Sequence, residues 1–265
     1  MALGIITGSG THAVPGFAGD DPEPVATAWG DALVSQGRLG DVDVLHVSRH
    51  GAGHVRLSNH VSHRANIAAL SQLGTEAVLA VTVCGAVDPD VPLGSLICFD
   101  DLHFPANRLP DGSLCTFFAK AGDPRRGHWI YEDPFSSGVR AAVLDGAAAA
   151  GLEIRDGGCY GHVDGPRFNT RAEIRGLAAA GVTAVSQTAG PETVLAGEAE
   201  LPFALVGYAT DYANGVQDEP TPVARLLELI AASTDAFGAL FRAVVPVLDA
   251  ATPAPPGVVY RFHDA

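Results

Sequence analysis

The stretch AVLAVTV, residues 77–83, consists only of apolar and β-branched side chains and runs into Cys84 and Gly85. An unbroken run of this kind is typical of a strand that is buried on both faces of a sheet. Five further candidate strands are LGII (3–6), VDVLHV (42–47), SLICF (95–99), VTAVS (182–186) and FALVGYA (203–209). The sequence therefore predicts a central sheet.

Alanine-rich stretches with a helical pattern lie between these strands. The predicted helices cover 62–73, 135–151, 170–180, 191–199 and 222–247. Alternation of strands and helices predicts an α/β fold in which helices cover the faces of the sheet, and the last helix, long and amphipathic, is expected to clamp it. Segment 104–134 is rich in Gly and Pro without a clear period, which predicts a long functional loop.

The composition favours one folded domain. Of the 265 residues, 47% are hydrophobic and 17% are charged, which is far from the composition of a disordered segment. We expect a single core, with a domain over residues 1–250 and a C-terminal tail, residues 251–265, that is extended or loose.

The net charge limits the classes of binding partner, and the cysteine content indicates the cellular compartment. A formal net charge of −14, without a basic run to offset it, disfavours nucleic acid and anionic membrane surfaces. The four cysteines form no CxxC pair, and the start MALGIITGSG lacks both a basic leader and an apolar run of signal-peptide length. We expect a cytoplasmic protein with reduced thiols and no membrane span.

Three predicted strands end in turns that suit an oxyanion. They are followed by TGSGTH (7–12), SRHG (48–51) and TVCG (82–85), which supply Ser9, Arg49, His50 and Thr82. Ligands of open α/β sheets bind beyond the carboxyl ends of strands, where hydroxyls, backbone amides and a guanidinium can hold phosphate oxygens. Each exit has an ordinary alternative, since a Gly-Ser-Gly segment is often only a turn and an arginine is often only an ion-pair partner.

Five of the ten histidines lie within residues 46–63, in the segment that contains VSRHGAGHVRLSNHVSH. Imidazoles at this density can bind a metal, line an anion pocket, shuttle protons or lie on a surface. His50 and His54 have the spacing of helix-borne zinc ligands, but Gly51 and Gly53 make a helix improbable. The sequence therefore disfavours a metal site.

Three segments in the second half complete a pattern. They are HVDGPRFNTRAE (162–173), SQTAGPETVLAGE (186–198) and YATDYANG (208–215). Together with the three strand exits, the order GSG, SRHG, TVCGA, DGPRF, TAGPE, ATDY resembles the trimeric purine nucleoside phosphorylase and methylthioadenosine phosphorylase family over roughly residues 3–245.

The resemblance implies a single α/β domain with a central mixed twisted sheet. It also implies phosphate-dependent cleavage of the N-glycosidic bond of a purine nucleoside, without metal or organic cofactor, by a homotrimer whose only small-molecule partners are nucleoside and phosphate. By this resemblance, phosphate is held by Ser9, Arg49, His50, Thr82, Thr188 and the backbone amide of Val83. Asp211, Arg49 and His50 would carry the chemistry, mainly through placement and electrostatics.

The resemblance also assigns the sugar and the base. His54 and Gln187 would lie near the sugar, and His128 would reach the 5′ pocket of the neighbouring subunit. Phe168 would stack on the purine, and Asp211 would contact N7 and the 6-substituent. A carboxylate accepts from a 6-amino group, so Asp211 favours adenine. Its alternative reading is a helix N-cap or a loop carboxylate.

Several positions depart from the family pattern. Asn169 stands where relatives specific for guanine and hypoxanthine carry glutamate, and Ala213 replaces a second acid found in close methylthioadenosine phosphorylases. Gln187 replaces a common methionine, and Ser62 and His63 replace an Asn-Tyr pair. His46, His60 and His63 have no family role and are expected to be structural or exposed.

The preferred substrate is methylthioadenosine or another 5′-modified adenosine. The first alternative is a 6-oxopurine nucleoside phosphorylase that acts on inosine or methylthioinosine. A hydrolytic nucleosidase would have no use for the predicted phosphate ligands. A non-catalytic nucleoside-binding protein that has kept the fold is the alternative from another functional class.

Overall fold

The computed structural model of the chain describes residues 2–9, 11 and 13–262. Gly10 and His12 of the predicted TGSGTH turn, and the last three residues of the predicted tail, lie outside the described residues. Ser9 lies inside them, so the exit of the first strand is described only in part.

The described residues form fourteen strands and five α-helices. The strands are β1 (Ala2–Thr7), β2 (Phe17–Gly19), β3 (Glu23–Thr27), β4 (Gly30–Leu39), β5 (Val42–Ser48), β6 (Thr75–Ala86), β7 (Leu96–Cys98), β8 (Asp101–His103), β9 (Gly127–Ile130), β10 (Ile154–Asp156), β11 (Cys159–His162), β12 (Val182–Ser186), β13 (Phe203–Tyr212) and β14 (Val258–Arg261). The helices are α1 (His63–Gln72), α2 (Ser137–Ala149), α3 (Arg171–Ala179), α4 (Ala189–Glu198) and α5 (Val223–Asp249). Two short 3₁₀ helices cover Ala52–His54 and Ser58–His60.

Strand β6 is the centre of a mixed sheet. It pairs in parallel with β1 on one side and with β13 on the other, and its last residues pair antiparallel with β12. Beyond these neighbours, β5 continues the sheet next to β1, and β7 pairs antiparallel with β13. The parallel alignment brings the carboxyl ends of β1, β5, β6 and β13 to one edge. The turn predicted at residues 82–85 is wrong, because β6 continues through these residues to Ala86 and pairs there with β13.

The core lies on both faces of this sheet. Along β1, Leu3 and Ile5 pack into one apolar cluster and Ile6 into the other, because successive side chains of a strand point to opposite faces. The first cluster includes residues of α2 and α5, and the second includes residues of α1 and α4. This arrangement explains why AVLAVTV is apolar without alternation.

The predicted α/β fold with a central mixed sheet flanked by helices is confirmed, and every predicted strand and helix corresponds to an observed one within a few residues. Three strands, β2 to β4, occupy a region where no element was predicted, because they are partly exposed and lack a long unbroken apolar run. The predicted loop 104–134 contains β9, and the predicted tail is extended but not loose over β14, which pairs with β9.

Helix α5 is long and apolar enough to cross a membrane by length and composition alone. Its inward side chains, among them Phe237, Phe241 and Val244, are buried against the sheet and α2. The apolar face is therefore used within the domain, as the clamp that the sequence predicts.

Candidate active site

A cavity of about 280 Å³ opens at the edge where the parallel strands end. This volume is near the lower end of the range for small-molecule sites, about 300–1,000 Å³. All the residues predicted for phosphate, sugar and base line it, except Arg49 and His128: Ser9, His50, His54, Thr82, Val83, Phe168, Asn169, Gln187, Thr188 and Asp211. Side chains from six separated segments are thus brought to one place.

Three hydroxyl side chains, those of Thr82, Ser186 and Thr188, line the part of the cavity that is called the oxyanion end below. Thr82 Oγ1 lies 3.1 Å from Ser186 Oγ and donates to the backbone carbonyl of Val83 at 3.0 Å. Thr188 is buried at the N-cap of α4, and among the described residues its side chain makes no capping hydrogen bond. The hydroxyl of Thr188 is thus not committed to the helix. Hydroxyls next to a helix N-terminus suit an oxyanion. Ser186 is not among the residues predicted from the sequence.

Arg49 was predicted to bind phosphate with a free guanidinium, but the structure shows this group paired with Glu192. The residue is 1% exposed, and its Nε and Nη2 donate to the two carboxylate oxygens of Glu192 at 2.5 and 2.7 Å. Nη1 donates to the carbonyl of Val81 at 2.6 Å. A Cβ added at Gly8 would lie 2.8 Å from Nη1, so the guanidinium packs directly behind the first strand exit. Arg49 therefore stands behind the cavity wall, with its charge paired.

Glu192 is the main residue that sequence reasoning missed. It lies in the first turn of α4, where the helix dipole favours a negative charge, and it is fully buried. Burial works to raise the pKa of Glu192, but the adjacent Arg49 guanidinium, with His63, holds that pKa well below its usual range. The residues around Glu192 in α4 are mostly small and apolar, which predicts burial, and a buried acid requires a cationic partner. This signal was available in the sequence.

His50 lines the cavity as an acceptor and not as the donor expected from the sequence. Its Nδ1 lies 2.7 Å from the carbonyl of Arg56, and since a carbonyl only accepts, Nδ1 carries the proton. Burial lowers the pKa of His50 to about 4, and the charge of Arg49 also lowers it. Because Nδ1 carries the proton, the neutral imidazole has a free lone pair on Nε2. Its ring stacks on that of His54, with the two ring centroids 4.1 Å apart.

Asp211 lines the same cavity and lies near the end of β13. The pairing of β13 with β6 shifts by one residue between Ala209 and Asp211, so Thr210 is the extra residue of a bulge. Burial raises the pKa of Asp211, while a hydrogen bond from Thr210 Oγ1 at 2.9 Å works against this rise. The location in a strand excludes the alternative of a helix cap or loop carboxylate.

Phe168 and Asn169 lie in the loop that precedes α3. Phe168 is 61% exposed at the rim of the cavity, so one face of its ring is available to a flat ligand. The loop is tied down by the capping box between Thr170 and Glu173 and by a hydrogen bond from Asn214 Nδ2 to the carbonyl of Asn169 at 2.7 Å. The aromatic ring is therefore carried by an anchored backbone.

Gln187 joins two parts of the cavity wall. Its Oε1 accepts from Ser58 Oγ at 2.9 Å, and its Nε2 donates to the carbonyl of Arg167 at 3.0 Å. The side chain thus fastens the loop that carries Phe168 to the 3₁₀ helix Ser58–His60. Neither contact was evident from the sequence, because the three residues are far apart along the chain.

The remaining histidines divide between core and surface. His128, on β9, lines a second cavity with Trp129 and Tyr131, and its ring contacts Phe262 edge to face at 5.4 Å. His46 is buried and its Nε2 lies 2.8 Å from Thr7 Oγ1, and His60 is exposed. Among residues 2–9, 11 and 13–262, no group of three or more His, Cys, Asp or Glu is placed to hold a metal ion.

Comparison with known proteins gives consistent matches over most of the chain. The sequence model of the phosphorylase superfamily matches residues 2–246. An S-methyl-5′-thioadenosine phosphorylase from Mycobacterium tuberculosis is 37% identical over 219 residues, covering 81% of this chain and 76% of that protein. A 6-oxopurine nucleoside phosphorylase from Pyrococcus furiosus is 30% identical over 251 residues, covering 93% and 92%.

Solved structures match in fold as well. Methylthioadenosine phosphorylase from Schistosoma mansoni in complex with adenine superposes with a TM-score of 0.84 at 26% identity, covering 94% of this chain and 92% of that one. The relatives thus include enzymes named for 6-amino and for 6-oxo purines.

Proposed function

Because this chain belongs to the phosphorylase superfamily, we propose that it cleaves the N-glycosidic bond of a purine nucleoside with inorganic phosphate. The observation that carries the proposal is one cavity with two chemically different ends. Hydroxyls of Thr82, Ser186 and Thr188 lie at one end, and Asp211 and Phe168 serve a flat base. The products are the free purine and a pentose 1-phosphate, and phosphate is a co-substrate with no other cofactor.

The arrangement supports a reaction driven by charge placement. As the glycosidic bond breaks, its electron pair goes to the base, and the proton of the Asp211 carboxyl goes to N7. The sugar carbon becomes electron-poor and is stabilised by the phosphate, one oxygen of which forms the new bond. The raised pKa of Asp211 helps this step, because it keeps a larger fraction of the carboxyl protonated.

The substrate that this site suits best is a 5′-modified adenosine, with methylthioadenosine as the leading candidate. While the hydroxyl of the protonated Asp211 carboxyl faces N7, the other carboxyl oxygen accepts from a 6-amino group. Leu57, Leu226 and Ile230 also line the cavity, and these side chains suit an uncharged substituent better than a charged one.

A second candidate is a 6-oxopurine nucleoside phosphorylase. It is favoured by the same burial of Asp211, because a protonated carboxyl can donate to a 6-oxo group. The Pyrococcus relative, named for 6-oxopurines, matches more of this chain than the mycobacterial relative does. Asp211 therefore decides between the two candidates by which carboxyl oxygen faces the 6-substituent, since the carbonyl oxygen accepts from a 6-amino group and the hydroxyl donates to a 6-oxo group.

We also propose a cytoplasmic homotrimer in which His128 serves the site of a neighbouring subunit. Two features support it. His128 is outside the nucleoside cavity of its own chain, and it borders a second cavity of about 430 Å³ together with Trp129 and Tyr131. Light scattering should give a mass of about three chains, and an active monomer would exclude a shared site.

The central test is base release from adenosine, methylthioadenosine, inosine and methylthioinosine, each with and without phosphate. We expect release only with phosphate, fastest for methylthioadenosine, and unchanged by a chelator. Release at full rate without phosphate would indicate a hydrolase, and no release under either condition would indicate a binding protein.

A further inference from the structure

His63, a buried histidine that does not line the cavity, lies next to the buried ion pair of Arg49 and Glu192. His63 is the first residue of α1, and its Nδ1 is 3.7 Å from Oε1 of Glu192. Both side chains are fully buried, as is that of Arg49 on the other side of the carboxylate. Cation, carboxylate and imidazole therefore form one buried cluster.

The imidazole of His63 is not fixed by hydrogen bonds. Within the described part of the chain, neither of its ring nitrogens has a hydrogen-bond partner, although both are buried. Buried polar atoms are normally paired, so an unpaired one calls for an explanation. The distance to Glu192 is too long for a hydrogen bond, but it is short enough for a strong interaction between charges.

The charges of the cluster show what this histidine can do. Arg49 and Glu192 cancel each other, so the ion pair alone attracts an oxyanion weakly. A proton on His63 gives the cluster a net charge of +1. Glu192 of this cluster lies in the first turn of α4, the helix that begins after the cavity residue Thr188. Binding of an anion and uptake of this proton then favour each other, because linkage between two sites is reciprocal.

We propose that His63 is a positioning residue that takes up a proton when an oxyanion binds and, through Glu192, lets the charge of Arg49 act on that anion. The inference rests on the proposed function only in so far as phosphate is that anion. His63 does not line the cavity and need not touch phosphate. It is among the positions that depart from the family pattern, so the proposed coupling belongs to this chain.

Other titratable groups face the same region and must be separated from His63. Glu192 approaches from α4, Arg49 from the end of β5, and His162 from β11, where burial lowers the pKa of His162 to about 3. On the cavity side stand His50 and the stacked His54. His50 is the main rival, because its Nε2 can also take up a proton next to an anion.

The test uses sulfate, which keeps its double charge where phosphate would titrate. Its inhibition constant against phosphate is measured between about pH 5 and pH 8, the range in which histidine titrates. In the wild type we expect sulfate to bind more weakly as the pH rises, by up to about tenfold per pH unit. His63→Gln should lose most of this dependence, and the exposed His60→Gln should keep it.

Three results would overturn the proposal. They are a wild-type constant that does not change with pH, a dependence that survives in His63→Gln, or one that disappears only in His50→Gln. If His63→Gln does not fold, calorimetry of sulfate binding to the wild type in two buffers of different ionisation enthalpy decides. Absence of proton uptake there contradicts the inference. Base release with phosphate is scored separately, so failure of the proposed function is distinguishable.

Discussion

The two ends of the cavity are built in different ways. The oxyanion end rests on strand exits and the start of α4, and its charged groups, Arg49 and Glu192, are fully buried and bonded to each other. The base end depends on a loop that is held by a few partly exposed hydrogen bonds and that presents Phe168 largely to solvent. The oxyanion end thus depends on a buried ion pair, whereas the base end combines Asp211 of strand β13 with a loop that is held by few contacts.

The largest effect should come from the buried pair. Glu192→Gln leaves the Arg49 charge buried without a counter-charge, which typically costs about 3 to 5 kcal/mol. We expect a corresponding loss in the free energy of unfolding in urea. A matched control is Glu173→Gln, which breaks the exposed pair between Glu173 and Arg167. Solvent screens that pair, so its loss should be far smaller. Equal effects of the two variants would remove the contrast between the two ends.

A smaller effect is expected from Asp211→Asn at the base end. The amide donates to a 6-oxo group, so the ratio of kcat/KM for methylthioinosine to that for methylthioadenosine should rise about ten- to a hundredfold. If the wild type already prefers 6-oxopurines, or if the ratio does not move, Asp211 does not select the base. Ser9→Ala should lower the rate for both substrates alike, and so serves as the control.

The pH dependence of Asp211→Asn follows from the raised pKa. A carboxyl whose pKa is raised in the folded state stabilises the fold while it is protonated, and this contribution is lost as the pH rises through that pKa. Asparagine has no such loss. As the pH rises above the ordinary pKa of aspartate, the unfolding free energy of the wild type should therefore fall relative to that of the variant.

The smallest effect is expected from Gln187, whose two hydrogen bonds join the loop of Phe168 to the 3₁₀ helix Ser58–His60. Gln187→Met keeps the volume but removes the hydrogen bonds to Ser58 and to the carbonyl of Arg167. Such bonds contribute about 0.5 to 1.5 kcal/mol each, so the KM of the nucleoside should rise about three- to tenfold. The KM of phosphate should stay constant, as should both constants in the exposed Gln72→Met. A change confined to phosphate would show that the two ends are not independent.

The sequence predicted the central sheet because buried parallel strands and amphipathic helices carry strong local patterns. It did not predict β2 to β4, β8 to β11 or β14. Most of these strands are short and carry weak local patterns, and β14 pairs with β9, which is far away along the chain. Ser9 and His50 could be placed because they lie just beyond predicted strands, and Thr82 because it lies near the carboxyl end of one. The partners of Arg49 could not, since Glu192 is 143 positions away along the chain and only packing brings the two together.

The bulge at Thr210 has a consequence for how this protein can change. A strand alternates its side chains with a period of two, so one additional residue reverses the phase of all that follow. Asp211 is thereby aligned with Gly85, where an added Cβ would lie only 3.2 Å from Oδ2 and the carboxyl therefore has room. The direction in which the Asp211 side chain points is thus set by the number of residues in the strand. Loss of one residue upstream in β13 would reverse its direction without altering any chemical group in the site.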